Sequence, residues 1–262
     1  PGRLRRRHGR ETDMNLRVGT FNIRNALAFD GCNSWLFRRR ATADMITALD
    51  ADVVGLQEAY GFQAGYLHHR LRDHGLTGDG RSALRRGERC AVIFRQAVVE
   101  LTASETRWYG DEPGRPGIRL PRASFPRVAT IATFGPVHGG DPPFTFVNTH
   151  LDEHHEDNRV TAAKQLLGWL DDGPSIVVGD LNAGPDSRVL ATLEAGGLRT
   201  VLPPDAPGTN HDFTGRTDGR RIDHILVSSH WEIGPAEVVT GRPRGRLPSD
   251  HWPVVADLTL AT

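Results

Sequence analysis

Pro174-Ser175-Ile176-Val177-Val178-Gly179-Asp180-Leu181-Asn182 (174–182) is the stretch on which the reading of this chain turns. Residues 174–178 are a short apolar run, the pattern of a strand buried on both faces. The run ends on a carboxylate and a carboxamide. In an extended chain Asp180 and Asn182 point to one face and Leu181 to the other. Such groups are costly to bury alone, so a strand that delivers them at its end calls for something to hold.

Working outward, the same design recurs. Thr20-Phe21-Asn22-Ile23 ends a run that starts at Leu16, and Leu56-Gln57-Glu58 follows Val53-Val54-Gly55. Asn148-Thr149-His150-Leu151-Asp152 closes the run from Phe144, and Arg221-Ile222-Asp223-His224 and Ser249-Asp250-His251 complete the set. Alone, each is weak: Asn22 reads as a turn residue, Asp180-Leu181-Asn182 as a turn cap, Asp223 beside Arg221 as a surface ion pair, His251 as a half-buried histidine. Together, in order and each at a strand end, they point to one pocket with a hard metal ion and a phosphate as its guests.

The donors are oxygen-rich: Asn22, Glu58, Asp180, Asn182 and Asp250. That set suits one or two Mg²⁺ or Mn²⁺ ions rather than a structural zinc. Phosphoester hydrolysis needs a base for the attacking water, and His251 is the candidate. Asp223 is its orienting partner, His150 serves the leaving oxygen, and Asn182 donates to the phosphoryl oxygen as charge develops.

Strands read at 16–23, 53–56, 90–94, 98–101, 128–134, 144–148, 174–178, 222–227, 231–239 and 252–260, with 90–94 and 98–101 expected to pair. Helices read after Ser34, at 62–71, at 157–170 and at 187–193, and 108–126 and 203–219 read as loops. Several strands follow one another without a helix, which excludes a simple alternating strand–helix fold. An α+β sheet-on-sheet core flanked by helices is expected.

The 262 residues, 38% apolar and 24% charged, suffice for one large domain with a full core. Formal net charge is zero, so no global field draws in nucleic acid or an anionic membrane. No apolar stretch approaches a membrane span. Cys32 and Cys90 exclude a disulfide framework and read as free thiols of a cytoplasmic protein. Residues 1–14, rich in arginine, read as a disordered basic leader, with a nucleic-acid-binding arm as the alternative, and 15–262 as one domain.

These motifs, over about Leu16 to Leu260, resemble the endonuclease/exonuclease/phosphatase superfamily, the deoxyribonuclease-I-like fold. Leu181 stands where the usual third motif has Phe. The resemblance implies a four-layer α/β/β/α sandwich of two mixed sheets with helices outside. It implies Glu58 as principal metal ligand helped by Asn22 and Asp250, and Asp180 and Asn182 orienting nucleophile and phosphate, with a second metal in reach. It implies Asp223 and His251 as the base pair and His150 on the leaving-group side. Asp30 to Trp35, Gly87-Glu88, Arg127 and Gly208-Thr209-Asn210-His211-Asp212-Phe213 are similar to a bacterial branch of small stand-alone members, in which Glu is commoner at position 32 and Phe at position 210.

Arg127 and His211 are the expected substrate contacts, with Arg119 and Arg122 as further members of a phosphate clamp around Arg127. Arg38, Arg39 and Arg40 read as a solvated helix face, His154 and His155 as solvated histidines, and Trp108 and Tyr109 as core. The expected function is divalent-metal-dependent hydrolysis of a small or medium phosphate ester by in-line attack of activated water. A DNA or RNA nuclease is the alternative within the same chemistry, with nucleic acid the less favoured partner. A non-catalytic binding module is the alternative of another class. A monomer is assumed.

Overall fold

The computed structural model describes residues 14–261; the basic leader, up to Asp13, lies outside them. Met14 is buried, and its carbonyl accepts from Leu260 N at 2.8 Å.

The chain opens with strand β1 (Asn15–Asn22), helix α1 (Trp35–Leu49) and strand β2 (Val53–Tyr60), and β1 and β2 run parallel. A parallel pair needs a crossover, and α1 supplies it. Helix α2 (Gly61–Arg70) and strands β3 (His74–Thr77) and β4 (Glu88–Arg95) follow. Strand β5 (Val99–Trp108), β6 (Val128–Pro136) and β7 (Phe144–His150) then form a meander. A second parallel crossover joins β7 through helix α3 (Glu156–Leu167) to β8 (Ser175–Asp180). Helix α4 (Arg188–Ala195) and strands β9 (Arg199–Thr200), β10 (Asp223–Val227), β11 (Trp231–Val238) and β12 (Val254–Leu260) complete the fold. Ser187 caps α4, its hydroxyl accepting from Leu190 N.

Two six-stranded mixed sheets result, ordered β11-β12-β1-β2-β4-β3 and β5-β6-β7-β8-β10-β9. At the centre of each lies one parallel pair flanked by antiparallel neighbours. Val178, Phe146 and Ile225 of the second sheet meet Val18, Val53 and Val254 of the first in the inter-sheet core. Their sequence neighbours Val177, Val147 and Leu226 face α3 and α4 instead, as strand alternation requires. Val54, Leu56 and Ile93 pack likewise under α1 and α2. The α/β/β/α sandwich expected from the sequence is the fold found. Among the described residues no helix is long and apolar enough to cross a membrane. Cys32 is exposed and Cys90 buried, and both are free thiols.

Segments 90–94 and 98–101 do not pair. Val98 N donates to Arg95 O in a tight turn that carries the chain from one sheet to the other. Phe94 and Val99 both enter the inter-sheet core, and β5 finds its partner in β6.

Two motif residues hold the sheets together. Asn148 donates to Leu56 O at 3.0 Å and Ala91 O at 2.7 Å across the interface. Its Oδ1 accepts from Gln57 Nε2 at 2.6 Å, which also donates to Thr20 Oγ1. A Cβ on Gly55 would lie 2.5 Å from Val178 and 2.7 Å from Asn148, so only glycine permits this approach.

Arg38 departs from the solvated face read for the arginine run. It is 1% exposed, and its guanidinium donates to the carbonyls of Ile23, Arg24, Asn33 and Pro248. It thereby ties the end of β1 to the segment that enters Ser249-Asp250-His251. Arg38→Met leaves several buried acceptors without donors and is expected to cost about 3 kcal/mol or more of stability, read as the urea unfolding midpoint. A change under about 1 kcal/mol would mean that water replaces the guanidinium there.

Candidate active site

The C-terminal ends of both parallel pairs deliver polar side chains to one edge of the sandwich, where crevices open in sheets with parallel strands. Asn22 ends β1, Glu58 lies near the end of β2, His150 ends β7 and Asp180 ends β8. Asp223 opens the antiparallel β10, opposite Asp180 in the ladder. Asp250 and His251 come from the loop before β12.

Asn22 is the hub. Its Nδ2 donates to Glu58 Oε1 and to Asp180 Oδ2, both at 3.0 Å, and its Oδ1 accepts from Arg24 N at 2.9 Å. One amide thus bridges carboxylates from the two sheets. Ser249 Oγ donates to Asn22 O at 2.7 Å and lies 3.1 Å from Asp250 Oδ1, which draws Asp250 into the group. Arg24 Nη1 faces Asp250 Oδ2 at 3.5 Å.

Glu58 occupies a bulge. The β2–β4 register shifts between Leu56 and Ala59, and Glu58 adopts φ +59°, a left-handed conformation costly for a side-chain-bearing residue. The bulge turns the carboxylate inward to Asn22, and Asn25 donates to its Oε2 from both backbone N (2.9 Å) and Nδ2 (3.0 Å). Burial alone would raise its pKa. With His150 close by and the Asn22 and Asn25 donors on it, the carboxyl is held well below the usual carboxylate range.

Residues 180–182 are not extended throughout. The strand ends at Asp180, Asn182 takes φ +50°, and Asn182 N donates to Asp180 Oδ1 at 2.9 Å. This local turn, not pleating, brings both side chains into the site. Gly179 allows it: a Cβ there would lie 2.0 Å from Thr149 O on the adjacent strand. Asn182 Nδ2 lies 3.1 Å from His150 Nε2, itself 3.5 Å from Asp180 Oδ2. Burial and then the Arg127 cation push His150 below its ordinary value.

His251 Nδ1 pairs with Asp223 Oδ2 at 2.7 Å, and its Nε2 faces Asp180 Oδ2 at 3.9 Å and Asn210 Nδ2 at 3.0 Å. Burial works against a charged ring, but Asp223, Asp180 and Asp250 outweigh it and raise His251 well above its ordinary value. Burial, reinforced by the charge of Asp223, raises Asp180 above the usual carboxylate range. Burial likewise raises Asp250. Asp223 Oδ1 is buried with no hydrogen-bond partner.

This excess of buried acid fits a hard cation. One ligand atom from each of Asp180, Asp223 and His251 lies within 4.8 Å of the others, a buried group that could hold a metal. Glu58 and Asp250 add oxygen donors through the Asn22 and Ser249 contacts.

Beside this centre lies a cleft whose lining includes Glu58, His150, Arg81, Glu88 and Arg127. Arg127 lines this cleft, its Nη2 2.7 Å from Glu153 Oε2. Arg119 and Arg122 are exposed and do not line it. His211 is buried against Trp252, ring centroids 4.2 Å apart, with Nδ1 accepting from Gly215 N and Nε2 unpartnered. It is not among the residues that line the cleft. His154 is exposed beside Glu153, and Trp108 and Tyr109 are core. Reading the sequence assigned no part to Asn25, Arg81 or Glu88. Their contacts arise from loop conformation, and only the Gly87-Glu88 pair at a strand start carried any signal.

A family model described as Endonuclease/Exonuclease/phosphatase family matches residues 19–251. The crystal structure of an endonuclease/exonuclease/phosphatase from Bacteroides vulgatus is similar at TM-score 0.87 and 29% identity, covering 94% of this chain and 99% of that one. A mannosyl-6-phosphatase from Bacteroides thetaiotaomicron is similar at TM-score 0.83 and 26% identity, covering 93% and 99%. The human Nocturnin catalytic domain with bound sulfate, at 24% identity and TM-score 0.74 over 94% and 95%, shares the fold. No curated protein sequence matches the chain.

Proposed function

The chain belongs to the endonuclease/exonuclease/phosphatase family, and from that premise we propose that it hydrolyses the phosphomonoester of a small, sugar-sized alcohol with Mg²⁺ or Mn²⁺. The observation that carries this is the single hydrogen-bonded cluster in which Asn22 joins Glu58 of one sheet to Asp180 of the other, with His150, Asp223 and His251 around it. The likeness to a mannosyl-6-phosphatase supports a compact ester. Zero net charge argues against a phosphate polymer.

Glu58, Asp250, Asp180, Asn22 and Asn182 would hold the cation, which would supply charge neutralisation at the phosphoryl oxygens and among the surrounding carboxylates. Asp223 fixes the His251 ring through Nδ1, and Nε2 takes the proton of the attacking water. Asn182 donates to a phosphoryl oxygen. His150, between the centre and the cleft, stands on the leaving-group side, so the alcohol lies along the wall of Arg81, Glu88 and Arg127.

A substrate panel tests this. Purified protein with Mg²⁺ or Mn²⁺ is expected to release phosphate from hexose 6-phosphates, to stop on addition of a chelator, and to leave plasmid DNA, RNA and a generic phosphodiester essentially intact. Plasmid nicking without phosphate release would transfer the assignment to a nuclease. Inertness toward the whole panel, with cation binding demonstrated by calorimetry, would point to a binding module.

A further inference from the structure

One wall of the cleft carries chemistry that water activation does not use. Arg81 Nη1 lies 2.7 Å from Glu88 Oε2, and both side chains keep only 14% and 13% of their surface open. The pair is rigidly placed. Arg81 N donates to Glu88 O, Trp108 Nε1 donates to Arg81 O at 2.6 Å, and the guanidinium stacks 4.5 Å over the Phe125 ring. Glu88 is the first residue of β4, and its carboxylate pairs with Arg81, with Arg127 as a further cation nearby. A largely buried ion pair of this kind contributes little to stability. Its position is informative, because Glu58 and His150 line the same cleft.

The charge balance of the wall narrows the ligand. Arg81 is neutralised by Glu88 and Arg127 by Glu153. A second phosphate or a phosphodiester backbone wants cations free of carboxylates, as counterion displacement by Lys and Arg requires. A hydroxyl group donates one hydrogen bond and accepts others. Neighbouring hydroxyls therefore match a wall that sets guanidinium N–H groups beside carboxylate oxygens, with both bonds charge-assisted.

We propose that Arg81 and Glu88 form a polyol-reading pair, binding adjacent hydroxyls of the alcohol half of the substrate and so selecting sugar-like esters over simple ones. This rests on the reading of the neighbouring centre as a phosphomonoesterase and adds the residues that choose its leaving group.

The test compares a hexose 6-phosphate with phenyl phosphate, which has no hydroxyls to read, using wild type, Glu88→Gln and Arg81→Met with Mg²⁺. Either substitution is expected to raise KM for the hexose ester by about tenfold or more, the loss of one or two charge-assisted hydrogen bonds, with kcat little changed. The loss on phenyl phosphate is expected to be at least tenfold smaller. Equal losses on both esters would show a merely structural pair, and an unchanged KM for the hexose ester would overturn the proposal. Glu88→Gln keeps shape and volume, so it decides the matter if Arg81→Met fails to fold. Wild type that hydrolyses phenyl phosphate but discriminates against the hexose ester sinks the pair while leaving the phosphomonoesterase reading intact. Absence of turnover on both sinks that reading instead. Calorimetric titration of both esters into protein held in chelator then judges the pair separately: a preference for the hexose ester that Glu88→Gln abolishes sustains it, and equal affinities overturn it.

Discussion

Glu58→Ala is expected to lower phosphate-ester turnover by about three orders of magnitude or more, through loss of cation binding. The structure fixes this carboxylate from several sides. A bulge interrupts the β2–β4 ladder, the residue takes a left-handed backbone, and three N–H donors from Asn22 and Asn25 fix both oxygens. Strain of this kind costs about 1–3 kcal/mol and persists only where the surroundings over-determine it. Alanine keeps the strained backbone and removes the carboxylate, while Glu58→Gln keeps the shape and removes the charge. Titration with Mn²⁺ is expected to show affinity reduced more than tenfold in both variants while the thermal unfolding midpoint stays within a few degrees. A Glu58→Gln protein that binds Mn²⁺ as wild type does and retains a tenth of its turnover would show that Glu58 only anchors the loop around Asn25.

The strand ends were legible in the sequence because their signal is local. An apolar run followed by Asn22, Glu58, Asp180 or His150 announces both a buried strand and a polar group at its mouth. The pairing of those strands was not legible, since 90–94 and 98–101 have the spacing of a hairpin and yet enter different sheets at the turn near Arg95. Arg38 was concealed by its neighbours. Arginines 38–40 look alike in a row, but successive helix residues turn by about 100°, and Arg38 falls at the gap between Trp35 and Thr42 on the stripe continued by Met45 and Leu49. A polar residue standing at an apolar tooth of a helix is a sign of burial that composition alone does not reveal. Gln57 and Asn148 were visible as motif members but not as what they are, since pinning one sheet to the other depends on how closely Gly55 lets the sheets approach. Glu88 and Arg81 escaped for another reason: their pairing spans an irregular loop with no periodicity to read.

The two crossovers give the site a physical origin. Each sheet contributes one parallel pair, and each pair sends two polar side chains beyond its C-terminal ends: Asn22 and Glu58 from the first, His150 and Asp180 from the second. Packing the sheets face to face brings the four together, so the acid cluster forms only when the inter-sheet core does. Mutations in that core, such as at Val178 or Phe146, therefore act on the site as well as on stability.

Asp223→Asn is expected to reduce kcat by about a thousandfold, and His251→Ala by a similar factor, with the double substitution little worse than either alone. In the proposed mechanism the two side chains act as a unit. Asp223 is fully buried and spends Oδ2 on His251 Nδ1 at 2.7 Å, which fixes the ring so that Nε2 faces Asp180. An asparagine there offers a weaker acceptor or, turned over, an N–H that forces the wrong tautomer. The first outcome keeps the proton on Nδ1 but holds the ring less firmly, and the second places it on Nε2, where it blocks uptake of a proton from water. Once the pair is broken, removing its second member has little left to take away, which is the signature of groups sharing one task. Two independently acting residues would instead multiply their effects to about a millionfold. Single-turnover rates with the four proteins, at saturating Mg²⁺ and substrate, read the difference directly. A multiplicative double variant would separate Asp223 from His251 and return Asp180, whose carboxyl is already raised by burial and by Asp223, as the group that activates water.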